Sequence, residues 1–227
     1  MKTSMGTGLS EAGWMTIALF TIALAWDASG LDLPVAHLAG SVEGFPWRDH
    51  WLLAGVLHEG GRRVSWLLAF ALCLSVWWPV GPLVRIGQVE RLQLASSALL
   101  GAAAISLLKF SSHTSCPWEL SDFGGLVHYA SHWSVHPDGG GGHCFPAGHA
   151  SSGFSFIGGY FAFRRSDARL ARLWLVGAIG AGLTLGLAQQ WRGAHFMSHT
   201  LWTAAVCWAV AYTVSAAWPR AWRAEGI

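Results

Sequence analysis

Apolar residues form six long runs along the chain, separated by short polar segments. A helix needs about 20 mostly apolar residues to cross the hydrocarbon core of a membrane, because unpaired backbone groups are costly in lipid. The runs that approach this length cover residues 12–30, 64–84, 92–108, 144–163, 173–191 and 200–218. The pattern therefore predicts an all-α polytopic membrane protein, a bundle of six transmembrane helices. A shorter apolar segment, residues 51–57, is predicted to form a juxtamembrane or surface helix.

Composition excludes an ordinary soluble domain. The 227 residues are 53% apolar and 11% charged, whereas a soluble domain has roughly 25% charged residues. Mean hydropathy is +0.40. Because the apolar runs follow one another with short gaps, residues 1–227 are expected to form a single membrane-embedded domain. The net charge of +2 is too small to indicate a nucleic-acid partner.

The distribution of basic residues predicts the orientation, since cytoplasmic loops keep an excess of Lys and Arg. With the N-terminus inside, nine of the 14 basic residues fall on the cytoplasmic side. The others are Arg48, Arg62, Arg63, Lys109 and Arg192. This split favours an orientation with the N-terminus inside. The chain is expected to be a multi-pass protein of a bacterial inner membrane, with the polar loop between the third and fourth helices, residues 110–143, in the periplasm. Arg62 and Arg63 depart from the rule.

Three short polar stretches are expected to meet at the periplasmic face, because each lies at an end of a predicted helix that opens on that side. They are Lys109 with the pair Cys116-Pro117 after six residues, Pro146-Ala147-Gly148-His149, and residues 192–199 with Arg192, His195 and His199. Each stretch alone would be a weak signal. Together they indicate one site assembled from three helix ends.

These residue types are suited to binding and transferring a phosphate group. Pro146 and Gly148 open a helix, whose free amides and positive dipole end attract anions. Lys109 adds a positive charge for phosphate oxygens. His149 and His195 supply one group to attack phosphorus and one to protonate the leaving oxygen, since an unperturbed histidine titrates near neutral pH. This chemistry requires neither a cofactor nor a metal ion.

The three stretches resemble the type 2 phosphatidic acid phosphatase superfamily, from about residue 92 to the end of the chain. Its signature is Lys, six residues, Arg-Pro; then Pro-Ser-Gly-His; then Ser-Arg, five residues, His, three residues, Asp. The matching positions are Lys109, Pro117, Pro146, Gly148, His149 and His195. The departures are Cys116 for Arg, Ala147 for Ser, Ala188 and Gln189 for Ser-Arg, and His199 for Asp.

The resemblance implies a role for each matched residue and a class of substrate. His195 would be the nucleophile that forms a phosphohistidine, His149 the general acid, and Lys109 and Gly148 would bind phosphate. The implied activity is hydrolysis of a phosphomonoester or diphosphate of a lipid. Undecaprenyl diphosphate, phosphatidate, phosphatidylglycerol phosphate and lipid A phosphates are the candidates, and transfer to a second lipid stays open. The sequence does not indicate an oligomeric state.

Two residues missing from the signature need replacements. Arg192 lies three residues before His195, on the same face if the segment is helical, and is predicted to replace a missing arginine. Asp122 or Glu119, in the preceding polar loop, is predicted to orient His195 in place of the missing carboxylate.

Two other classes of function stay open. The departures also suit a non-catalytic relative that binds a lipid phosphate. A metal-binding membrane protein is the other alternative, because His195 and His199 are spaced i, i+4, with His143 and His149 nearby. Turnover of a lipid phosphate that resists a chelator would separate the hydrolase from both.

Cys116 and Cys144 are predicted to form a disulfide. Both fall in or beside the loop assigned to the periplasm, where oxidised pairs persist, whereas Cys73 and Cys207 lie inside apolar runs as buried thiols. The bond would tie the first polar stretch to the second.

Overall fold

The computed structural model describes residues 10–134, 136 and 138–224, with side chains as far as residue 217. Within those residues the protein is helical, with 70% of it in helices and no β-strand. The prediction of an all-α fold is thereby confirmed.

The N-terminal helices correspond to the first apolar run and the segment after it. Helix α1, Glu11–Ser29, starts where the Ser10 side chain accepts a hydrogen bond from an amide of the first turn at 3.2 Å. It ends at Gly30, whose φ of 67° is accessible to glycine without steric cost. A short helix, α2, Asp32–Ala36, follows immediately.

The next helix begins earlier in the chain than its apolar run suggests. A π-helical segment, Leu52–Gly60, continues without a break into α3, Gly61–Ser75, and a 3₁₀ turn, Gly81–Arg85, follows. Two predictions are therefore wrong. Residues 51–57 are the first part of this helix instead of a separate juxtamembrane or surface helix, and the helix ends well before residue 84. Polar residues at 58–63 interrupt the apolar pattern without interrupting the helix, and the prolines that follow α3 stop it.

The other helices agree more closely with their apolar runs. Their bounds are α4, Gln88–Ser111; α5, Gly148–Phe154; α6, Gly158–Phe163; α7, Ala168–Trp191; and α8, Met197–Ala224. A 3₁₀ turn, Ser155–Ile157, joins α5 to α6, so that helix continues from one to the other. The first four residues of the fourth run are not helical, because the helix starts only after Pro146.

Helix α8 is the element on which α1 and α4 pack, while α5 packs on α7. A Cβ at Gly153 would overlap the backbone of Gly182, so glycine at these positions lets α5 and α7 touch. Phe154, Phe163 and Leu94 are among the fully buried side chains of the resulting core. This packing holds the start of α5 and the start of α8 in the same bundle.

Four helices are long and apolar enough to cross a membrane: α1, α4, α7 and the Met197–Ala217 part of α8. Large apolar side chains on the outer surface, such as Trp66 and Leu107, are largely exposed, as expected of a surface in contact with lipid. The number of six spans and the orientation with the N-terminus inside stay predictions.

Candidate active site

A cavity of about 390 Å³ lies between the helix of residues 52–75, α4 and α5. Its polar end is formed by Lys109, Gly148 and His149, and Arg62 lines the same cavity. Lys109 extends from the last turn of α4 toward the start of α5, where a Cβ built on Gly148 would lie 3.7 Å from the ammonium nitrogen. The structure therefore brings the first two polar stretches together. It also adds Arg62, one of the two arginines that lie on the side with fewer basic residues in the predicted orientation.

His195 is almost completely buried in the loop between α7 and α8, with 3% of its surface exposed. It does not line the cavity, but it lies close enough to Lys109 and His149 for their charges to act on it. Its Nδ1 donates a hydrogen bond to the carbonyl oxygen of Cys144 at 2.8 Å, because a carbonyl can only accept. Burial, followed by the charge of Lys109, holds the pKa of His195 well below its ordinary value. The ring is therefore neutral, with its lone pair on Nε2.

The structure corrects the prediction that Asp122 or Glu119 orients His195. The group that accepts the hydrogen bond from His195 Nδ1 is instead the carbonyl oxygen of Cys144. Glu119 accepts a hydrogen bond from the backbone amide of Cys116 at 2.6 Å, and Asp122 lies in the next 3₁₀ turn, Ser121–Phe123. A backbone group thus takes the place that the superfamily signature gives to a carboxylate.

His149 stacks on His58, a residue that no motif singles out. Their ring centroids are 3.8 Å apart with 26° between the planes, and His58 Nδ1 lies 3.1 Å from the Glu59 carboxylate. In the part of the chain that the structure describes, the buried Nε2 of His149 has no hydrogen-bond partner. His149 is therefore a ring held by stacking, with one uncommitted nitrogen, in a residue that lines the cavity. His58 lies in the π-helical segment Leu52–Gly60. Such segments are frequent at functional sites, so this local geometry is a second indication that His58 belongs to the site.

Arg192 is buried at the end of α7, where 8% of it is exposed. Its Nε donates a hydrogen bond to the carbonyl oxygen of Arg48 at 2.7 Å, and one Nη donates to Gln189 Oε1 at 3.1 Å. Its charge acts on both His58 and His149. The guanidinium is therefore held in place by two hydrogen bonds at the end of α7, and like His195 it does not line the cavity.

Arg192→Lys is expected to lower kcat/KM by about 10²-fold, because an ammonium group cannot reproduce the planar bidentate hold on phosphate oxygens. Phosphate release by the purified protein would measure the loss, and circular dichroism would verify folding. Arg63→Lys is the matched control, since Arg63 is exposed whereas Arg192 is buried. If Arg192→Ala kept nearly full activity, the role would belong to another cation, with Arg62 the next candidate.

The structure joins Cys116 and Cys144 in a disulfide, with their Cα atoms 5.1 Å apart. Cys73 and Cys207 are free. Because the carbonyl of Cys144 accepts the hydrogen bond from His195, the disulfide ties the group that orients this histidine to the segment that follows Lys109.

Mass spectrometry of the non-reduced protein is expected to show one peptide pair that joins Cys116 to Cys144. The two residues are separated by 28 positions, so closing the loop should contribute about 3 to 4 kcal/mol of stability by the chain-entropy estimate. Reduction should therefore lower the Tm, and activity should fall with it. Alkylatable thiols at both positions in protein isolated from the membrane would contradict the bond and the periplasmic placement of the loop.

The histidines of the metal-site alternative do not converge on one point among the described residues. His143 is exposed, and no three of His143, His149, His195 and His199 bring their ring nitrogens within reach of one ion. Within the described ranges, the side chains close enough together to share a metal ion are Cys116, Glu119 and Cys144. The two sulfur atoms of that group are already bonded to each other.

Two carboxylates from the N-terminal helices support the start of α8, and no sequence motif points to either of them. Asp32, which is 6% exposed, accepts hydrogen bonds from the Ser198 amide at 3.0 Å and from the Ser198 hydroxyl. Asp27 accepts one from the indole of Trp202 at 2.9 Å. A carboxylate is favoured at a helix N-terminus, where unpaired amides and the dipole attract negative charge. Neither contact has a local signal, because the partners lie 166 and 175 positions apart.

No curated protein and no solved structure matches the chain. A family model does: that of the PAP2 superfamily aligns with residues 91–223, more than half of the chain. The aligned region includes Lys109, His149 and His195 of the candidate site. Members of the superfamily are generally phosphatases that act on phosphate esters. The chain therefore belongs to the PAP2 superfamily, as its three polar stretches predict.

Proposed function

We propose that this protein hydrolyses a phosphomonoester or diphosphate of a lipid at the periplasmic face of the inner membrane. The observation that supports a lipid substrate is the shape of the cavity of about 390 Å³. From Lys109 and His149 the cavity continues along an apolar wall that includes Trp66 and Leu99. Both of these side chains are also exposed on the outer surface. A lipid tail can therefore lie against the wall while its phosphate reaches the polar end.

The first half-reaction transfers the phosphoryl group to His195. Its Nε2 attacks phosphorus, and the bond between phosphorus and the leaving oxygen breaks. His149 gives its proton to that oxygen. Lys109, Arg192 and Arg62 balance the negative charge on the phosphoryl oxygens.

The second half-reaction releases phosphate. Water attacks the phosphorus of the phosphohistidine, the bond between phosphorus and His195 Nε2 breaks, and His149 accepts the proton of the water. The carbonyl of Cys144 stabilises the positive charge that the imidazole carries while it is phosphorylated. A lipid hydroxyl or lipid phosphate in the place of water would turn hydrolysis into phosphoryl transfer.

The test is phosphate release from a panel of phosphatidate, phosphatidylglycerol phosphate, undecaprenyl diphosphate and lipid A phosphates. We expect release from at least one lipid, undiminished by a chelator, and little release from glycerol phosphate at the same concentration. Loss of activity with the chelator would favour a metal-dependent protein. Binding of these lipids without any release would favour a non-catalytic lipid-phosphate binder.

A further inference from the structure

A second cavity, of about 190 Å³, lies at the other end of the bundle. It is formed by the first turns of α4, the end of α6 and the segment that joins α6 to α7. Gln93 in its wall and Lys109 in the candidate active site are separated by about 24 Å along α4, at roughly 1.5 Å per residue. The two cavities are therefore distinct.

The wall of this second cavity carries an excess of positive charge. Arg85, Arg164 and Arg165 line it, together with one carboxylate, Glu90. Arg85 forms an ion pair with Asp167 at 2.9 Å, whereas Arg164 and Arg165 form no ion pair within the described residues. The two guanidinium groups at the rim that form no ion pair therefore outnumber the one carboxylate in the wall, that of Glu90.

The base of the cavity holds a buried donor without an acceptor. Gln93 is 7% exposed and lines the cavity, and its buried Nε2 has no hydrogen-bond partner among the residues that the structure describes. Buried amide groups are nearly always paired, so an unmatched one indicates an acceptor supplied from outside the chain. The hydroxyl of Ser215, on α8, is a second donor in the same wall.

We propose that this cavity binds the phosphate group of an anionic ligand, with Arg164 and Arg165 at the rim and the Gln93 amide at the base. Guanidinium groups and neutral N–H donors are the groups that hold phosphate oxygens. The cavity lies on the side predicted to be cytoplasmic, where basic pockets between membrane helices bind phospholipid headgroups. The phosphate belongs either to such a headgroup or to a soluble anion. The site does not depend on the proposed catalytic function.

The test is thermal unfolding of the full-length protein in a neutral detergent. Three probes are compared: inorganic phosphate, short-chain phosphatidylglycerol, and phosphatidylcholine of the same chain length. We expect the Tm to rise by several degrees with phosphatidylglycerol, with phosphate or with both, and not with phosphatidylcholine. A rise with phosphatidylglycerol alone identifies a lipid headgroup, and a rise with phosphate shows that a free anion is sufficient. The shift should persist in Lys109→Ala, which alters only the other cavity.

Variants then assign the shift to this cavity. Gln93→Glu places a negative charge at the base and should abolish the shift, while Gln93→Leu should reduce it. Arg164→Gln combined with Arg165→Gln should also abolish it. Arg169→Gln combined with Arg172→Gln removes the same charge from exposed positions outside the cavity and should leave the shift intact. No shift in the parent protein, an equal shift with phosphatidylcholine, or a shift that survives in Gln93→Glu or in the rim variant would overturn the proposal.

Discussion

His195→Ala is expected to lower phosphate release by more than about 10³-fold, because the variant has no other group in the position of the nucleophile. A phosphoprotein that is labile in acid and stable in alkali should form with the parent protein and be missing from the variant. His128→Ala is the matched control, since His128 is an exposed histidine of the loop predicted to be periplasmic. Residual activity above about one per cent in a folded variant would assign the nucleophile to another residue.

The environment of His195 also predicts the direction of the pH dependence. Burial and the charge of Lys109 hold its pKa below the ordinary value of 6.5, and attack needs the neutral ring. The part of kcat/KM that depends on His195 should therefore persist as the pH falls through 6.5 and be lost only at lower pH. The same shift makes unfolding easier below pH 6.5, because the unfolded chain then binds more protons than the folded one. A loss of the neutral nucleophile above pH 6.5 would contradict this account.

His149→Ala is expected to lower kcat on a lipid phosphate by about 10²- to 10⁴-fold, the usual contribution of a general acid. The loss should be much smaller on an aryl phosphate, whose leaving group needs little protonation. The ratio of the two losses is the measurement. Equal losses on both substrates would exclude the acid role and leave His149 a part in binding.

His58 provides a comparison variant for the same experiment. His58→Phe keeps an aromatic ring against His149 and removes the ring nitrogens, so it should retain most activity if stacking is the contribution of His58. His58→Ala removes the stack and should lower activity on both substrate types. Retention of full activity in His58→Ala would show that His149 is held without this contact.

Much of the fold could be predicted because its signals are local. Long apolar runs indicate helices whatever surrounds them, and α4, α7 and α8 lie where their runs predict. The apolar pattern does not locate the helix that carries His58 and Arg62, since polar residues at 58–63 break it. Those polar side chains are tolerated because Arg62 lines the cavity and His58 stacks on His149.

The candidate site divides in the same way. Residue type and spacing were enough to single out Lys109, His149 and His195, because their chemistry depends on side chains that the sequence names. Residue type and spacing do not predict the group that orients His195. That group is the backbone carbonyl of Cys144, and every residue has a backbone carbonyl.

The sequence by itself determined that this is an all-helical protein with membrane-type helices and the three polar stretches of the PAP2 superfamily. Only the tertiary structure decided which groups surround those stretches: His58 against His149, and Asp32 at the start of α8. These contacts join segments that are far apart in the chain. Their partners are selected by helix packing, and a local pattern of residues carries no information about it.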